Sequence, residues 1–251
     1  MEQQEFLDHA YRIVEEGQER GAALRLLGAV AFHLHCPKYQ SFQEKAGRPF
    51  TDLDFAAYFK HNEQIRDLFA SMNFWEDREV AVVYARQRLV FNDPNSTLHV
   101  DVFFDKLDFC HPIPWAGRLE VDTPTIPLAE MLLEKMQIVK LNAKDVIDTL
   151  MLLREHALDE GDADTINVRR VARLCAQDWG LWRTFTMNLP RIMELSQGYG
   201  WLGAEDRAVI GERIDQLLAI LEKEPKSTSW IARSLVGDRV QWYKDVHEVN
   251  Q

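Results

Sequence analysis

The sequence predicts an α/β (α+β) domain with a short mixed sheet, followed by an all-helical domain. The segment Phe50-Thr51-Asp52-Leu53-Asp54-Phe55 reads as a strand carrying two acids one residue apart. Leu98-His99-Val100-Asp101-Val102-Phe103-Phe104 reads as a second strand with a lone acid inside an apolar run. Pro112, Pro114, Pro124 and Pro127 then punctuate a connecting stretch, after which apolar residues recur at helical spacing almost to the end. These observations divide the chain into an α/β domain over 1–125 and a helical domain over 126–251.

Residues 3–19 predict an amphipathic helix, with Phe6, Leu7, Ala10, Ile13 and Val14 on one stripe and Gly21 ending it. The apolar run Leu24–Leu34 contains Gly28, which suits a short strand or turn leading into a helix that closes near Pro37. Residues 38–50 are polar, contain Gly47 and Pro49, and are expected to be a loop. The first acidic strand follows over 51–59, then a helix from Asn62 to about Met72. Residues 79–92 suggest a hairpin arm, and Asn92-Asp93-Pro94-Asn95 a turn into the second acidic strand at 97–105. Helices are expected at 127–141, 143–157, 167–178, 181–197, 204–223 and 228–240.

The chemistry begins with alternation. Strand side chains point to opposite faces in turn, so Asp52 and Asp54 share a side while Leu53 and Phe55 face a core. Paired acids are common on exposed strands. An acid between Val100 and Val102 is not, because a buried carboxylate is costly unless paired or metal-bound. Should the Asp101 strand lie beside the first, three carboxylates converge and repel one another unless a cation sits among them. Mg²⁺ suits such oxygen donors and is commonly shared with substrate phosphates, which points to phosphoryl or nucleotidyl transfer.

Composition narrows the partners. The 251 residues carry 29 Lys+Arg against 40 Asp+Glu, a formal net charge of −11, and both halves are acidic. A broad, non-specific nucleic-acid footprint is thereby disfavoured, since it rests on cationic side chains neutralising phosphates. A local basic groove for one RNA end or one nucleotide stays open. Three scattered cysteines, Cys36, Cys110 and Cys175, fit a reducing compartment. The polar start Met1-Glu2-Gln3-Gln4-Glu5 is unlike a secretory signal, and no apolar run reaches membrane-spanning length. A cytoplasmic location with no membrane partner is the expectation.

Together, Leu27-Gly28-Ala29, Asp52-Leu53-Asp54 and Val100-Asp101-Val102 resemble the nucleotidyltransferase-fold (polymerase-beta-like) superfamily. Its signature is a helix-opening Gly-Gly or Gly-Ser, an Asp-x-Asp strand and a third acid on a neighbouring strand. Leu128-Ala129-Glu130-Met131-Leu132-Leu133-Glu134-Lys135, followed by Lys144-Asp145-Val146-Ile147-Asp148, is similar to a stretch of the abortive-infection toxin-type members. The resemblance spans residues 20–156. Ala29 stands where the family has its second Gly or Ser, and the gap from Gly28 to Asp52 exceeds the family's short spacer.

The resemblance implies Mg²⁺-dependent transfer of a nucleoside monophosphate from an NTP to an acceptor hydroxyl on RNA, protein or a small molecule. It implies Asp52, Asp54 and Asp101 as catalytic and metal-binding residues, with a cleft between the domains. It implies Gly28, Ala29, Arg48, Lys135 and Asp145 as nucleotide-binding residues, and an antitoxin protein as a partner. Two alternatives accompany it: an adenylyltransferase acting on an aminoglycoside, whose positive charge an acidic protein suits, and a degenerate nucleotide-binding or protein-interaction module.

Plainer roles stand beside these. Lys135 also reads as a lysine snorkelling from an amphipathic helix, and Asp145 as a first-turn acid complementing the helix dipole. Arg48 is either a phosphate clamp or a solvated loop residue. Arg86 and Arg88 read as hairpin decoration, and His99 as a cleft residue or a cross-strand hydrogen-bond partner. His33-Leu34-His35-Cys36 lacks a partner cluster at zinc-site spacing and reads as helix-end histidines.

Overall fold

The computed structural model of the protein describes residues 2–84 and 86–245. In chain order the principal elements are α1 (Gln3–Glu19), β1 (Leu24–Leu27), α2 (Gly28–His35), α3 (Ser41–Lys45), β2 (Leu53–Ala57), α4 (Asn62–Ser71), β3 (Trp75–Glu76), α5 (Arg78–Val83), β4 (Arg88–Asn92) and β5 (His99–Phe104). Then come α6 (Leu128–Met136), α7 (Ala143–Glu155), α8 (Val168–Gln177), α9 (Trp179–Ser196), α10 (Ala204–Lys223) and α11 (Thr228–Ser234). The architecture is α/β, with a small mixed sheet and a helical C-terminal region.

The chain forms two compact units. One comprises residues 1–34, 47–107 and 113–127; the other comprises 35–46, 108–112 and 128–251. In the first, five strands run in the order β1-β2-β5-β4-β3. Strand β2 is antiparallel to β1 and parallel to β5, while β4 is antiparallel to both β5 and β3. Alternation sends Leu53, Phe55 and Ala57 of β2, Val100, Val102 and Phe104 of β5, and Leu89 and Phe91 of β4 to one face, where all are buried. Helix α1 packs there through Phe6, Ala10, Ile13 and Val14. Phe69 of α4 stacks on Phe91 with ring centroids 4.1 Å apart. Each such aromatic contributes about 1.5–3 kcal/mol by burial. The β1 edge is closed by residues 124–126, through Leu26 N–H to Pro124 O and Ile126 N–H to Leu26 O, both 2.9 Å.

In the helical unit, side-chain caps fix where the helices begin. Asn142 Oδ1 accepts from Asp145 N–H while Asp145 Oδ2 accepts from Asn142 N–H, a capping box that opens α7. Asn167 caps α8, and Asp178 caps α9 through Gly180 and Leu181 N–H. That cap starts α9 at Trp179, two residues ahead of the expected position. Among the described residues, no helix is long and apolar enough to cross a membrane.

Two local expectations are corrected. The stretch 38–50 is not all loop, because residues 41–45 form α3 with Phe42 and Gln43 buried. Residues 79–92 are not a hairpin arm. Asp77 Oδ1 accepts from Glu79 and Val80 N–H and opens the short helix α5, leaving only Arg88–Asn92 as strand. A capping acid ahead of a short run outweighed the β-propensity of Val80, Val82 and Val83. Ala85, within that stretch, lies outside the described residues.

Candidate functional site

The sheet face opposite the α1/α4 core carries the acids. Asp54 and Asp101 are direct register partners on the parallel strands β2 and β5. Adjacent strands lie about 4.8 Å apart, so the two carboxylates project side by side. Asp52 sits just before β2, two residues from Asp54; its Oδ1 accepts from Thr51 Oγ1 at 2.9 Å. Asp52 and Asp54 are half-buried and Asp101 is buried.

Gly28 belongs to the same locality. It directly follows β1, whose last residue Leu27 pairs with Asp54, and it opens α2 with φ +68°. A Cβ placed on it would stand 2.6 Å from Asp54 Oδ2. Glycine is required here twice over: for the left-handed backbone and for the close approach of the carboxylate to the helix start. Ala29 is the next residue of α2 and is buried. Arg48 lies half-buried in the irregular stretch ahead of Asp52.

Two basic side chains meet Asp101. Arg88 Nε donates to Asp101 Oδ1 at 2.7 Å, and His99 Nε2 lies 3.5 Å from Asp101 Oδ2. His99 Nδ1 is 2.9 Å from Asn92 Oδ1, so one imidazole ring stands between an amide oxygen and a carboxylate. Cross-strand geometry explains the cluster. Val90 stands opposite Asp101 and Asn92 opposite His99, so Arg88 and Asn92 share a face with both. The Arg88 guanidinium rests over the Phe103 ring, 5.3 Å from its centroid.

Burial by itself would push the Asp101 carboxyl up. Hydrogen bonds and charge from His99 and Arg88 outweigh it and hold Asp101 below the usual carboxylate range. His99 is raised, first by its bond to Asp101 and against its own desolvation, with Asp52 adding to the effect. Desolvation works against the Arg88 charge, but Asp101 and, more weakly, Asp54 raise it. Asp52, Asp54, Asp101, Arg88 and His99 thus form one electrostatic network.

Asp54 and Asp101 stand side by side as register partners, but the expected convergence of three carboxylates on one cation is not formed among the described residues. Among the described residues, no three His, Cys, Asp or Glu side chains gather as a group that could hold a metal ion. Asp101 is tied to Arg88 and His99; the other carboxylates here are those of Asp52, which accepts from Thr51, and Asp54, which lies against the start of α2. Their oxygen donors and the Gly28 cradle beside Asp54 suit a hard ion such as Mg²⁺. A depression of about 490 Å³, lined by Tyr58, Phe59, Lys60, Arg86, Asp105 and Glu120, lies past the other ends of β2 and β5, and no acid of the network lines it.

Lys135 and Asp145 belong to the helical unit. Lys135 Nζ is 2.9 Å from Glu134, 3.2 Å from Asp148 and 3.9 Å from Asp145, and all four residues are buried. Asp145 also completes the capping box of α7. The plainer role of Asp145, a helix-opening acid, is therefore realised, whereas Lys135 does not snorkel to solvent but is buried among acids. His33 lies beside Gln3 and Phe50, and the His35 ring stands edge-on to His156.

Arg88 and His99 are the residues that the sequence undervalued. The signal for His99 was its place two residues from Asp101 on one strand, whereas Arg88 sits on a different strand and carried no weight until the register was known. No family model, curated protein or solved structure matches this chain.

Proposed function

We propose that the protein is a nucleotidyltransferase that moves a nucleoside monophosphate from an NTP to an acceptor hydroxyl, with Mg²⁺ held by Asp52 and Asp54. The observation that carries this reading is the register pair Asp54–Asp101 with Gly28 opening a helix against the Asp54 carboxylate. Bound Mg²⁺ would offset the phosphate charge that these acids otherwise repel.

The chain's own residues have three tasks. Asp52 and Asp54 present oxygen donors. Gly28 leaves room for Asp54 and lets the start of α2 approach a phosphate. Arg88 and His99 keep Asp101 ionised and fixed. The acceptor oxygen forms the new bond to the α-phosphorus, and the bond from that phosphorus to its bridging oxygen breaks. Pyrophosphate leaves with the electron pair. The hydroxyl proton passes to solvent, since an Asp101 carboxyl held below its ordinary range is a weak base.

The acceptor is RNA, such as tRNA, a protein or a small molecule, and a toxin-type role would bring an antitoxin protein as partner. One observation favours a second reading, nucleotide binding without turnover: both Asp101 oxygens are engaged by basic side chains. The test is pyrophosphate release from each labelled NTP with Mg²⁺, alone, with total tRNA and with an aminoglycoside. Release with one acceptor supports transfer and names its class. Mg²⁺-dependent nucleotide binding with no release from any mixture supports the second reading. Asp52→Asn combined with Asp54→Asn should lower any release by about 100-fold or more, the scale of losing preorganised charge at a reacting centre. Full activity in that double variant removes these acids from the mechanism.

A further inference from the structure

A triphosphate brought to a site bearing three carboxylates needs a cationic partner from the chain as well as a metal. One of the cations that the resemblance implied beside Arg48, Lys135, is buried within 4 Å of three acids. Arg25 is buried too, its Nε and Nη1 donating to Asp122 O at 2.6 Å and Leu24 O at 2.8 Å. Arg86 lies over the Phe59 ring, past the other end of the acidic strands.

Arg88 differs from all of these. Its Nε is anchored on Asp101, its plane rests over Phe103, and its side chain keeps 22% of its exposure. Among the described residues, neither Nη group donates a hydrogen bond. A guanidinium fixed at Nε and supported by an aromatic ring, with both Nη groups uncommitted, is a preorganised fork for phosphate oxygens. The β4–β5 register aims it across the same face as Asp54 and Asp101.

We infer that Arg88 is the triphosphate-binding residue of this site, contacting non-bridging phosphate oxygens through its Nη groups while Nε stays on Asp101. The inference rests on the nucleotidyl-transfer reading for its ligand, but its test does not require turnover.

The experiment is calorimetric titration of the 251-residue protein with inorganic tripolyphosphate, each of the four NTPs and their nucleosides, at fixed Mg²⁺. Wild type, Arg88→Lys and Arg88→Gln are compared, with circular dichroism and melting curves for each. Arg88→Gln should weaken tripolyphosphate and the preferred NTP by about tenfold or more, the scale of a lost charge-assisted pair, and change nucleoside binding less than twofold. Arg88→Lys should fall between, because it keeps the charge for Asp101 but loses the fork. Should Arg88→Gln fail to fold, Arg88→Lys decides. Wild-type affinity for tripolyphosphate and NTP in the folded Arg88 variants overturns the inference. Binding that needs Arg88 in a protein that releases no pyrophosphate upholds it and removes transfer. Failure of the wild type to bind either polyphosphate removes both.

Discussion

On the sheet, one buried carboxylate, Asp101, is met by two basic side chains, Arg88 and His99. In the helical unit, one ammonium, Lys135, is shared by Glu134, Asp145 and Asp148. The first cluster is partly open: Asp52, Asp54, Arg88 and His99 are all half-buried. The second is closed, and it joins α6, which supplies Glu134 and Lys135, to α7, which supplies Asp145 and Asp148. The contrast separates two uses of charge. A half-open network with uncommitted donors can exchange partners with a ligand, whereas a buried one pins helices and loses heavily when any member is removed.

The comparison is broken most directly by deleting the central cation of each cluster. Lys135→Met leaves buried carboxylates without their ammonium and should cost about 3–5 kcal/mol of unfolding free energy in urea melts. Arg88→Met leaves His99 on Asp101 and should cost about 1–3 kcal/mol. If the two losses are equal, or Arg88→Met is the larger, the division into a structural pin and an exchangeable site is wrong.

Gly28→Ala addresses the sheet cluster alone. The left-handed backbone at φ +68° should cost about 1–3 kcal/mol. The new Cβ must also displace Asp54 Oδ2 from 2.6 Å, so nucleotide affinity should fall along with stability. Gly21→Ala shares the positive φ but meets nothing within 4 Å. It should lose stability only, which separates backbone strain from damage to the site.

The smallest effect expected is in the pH dependence of two histidines. His99, facing Asn92, Asp101, Arg88 and Asp52, has its folded value raised. Its contribution is full below the unfolded value of about 6.5 and is lost as pH rises through the folded one. His111 shares a hydrogen bond with Thr184 Oγ1 and lies near Gln137, Asp178 and Lys244; burial lowers it to about 4. Its contribution is full above about 6.5 and is lost as pH falls toward that lower value. Melting temperatures of His99→Asn and His111→Asn against pH should therefore differ from wild type with opposite slopes. Parallel curves would contradict the charge states assigned to the two rings.

Much of the local structure was legible. The apolar surroundings of Asp101 marked an acid in need of partners, and Arg88 and His99 supply them. Gly28 after an apolar run correctly located the strand-to-helix junction. The stretch around α5 misled, because valines signal strand until the Asp77 cap is weighed. Lys135 misled in another way: helical spacing gives its neighbours on α6 but not the acids that α7 brings to it.

The amino-acid order by itself determined most of the helices and strands, though not α3 or α5, and where glycine must stand at Gly28, because those follow from backbone sterics and short-range spacing. Only the tertiary structure decided that β5 runs beside β2 with Asp101 level with Asp54. It alone decided that Arg88 lies open on that face while Lys135 is enclosed among acids. Register between strands separated by dozens of residues, and the burial of a charge, depend on which distant surfaces meet, and no local periodicity encodes that.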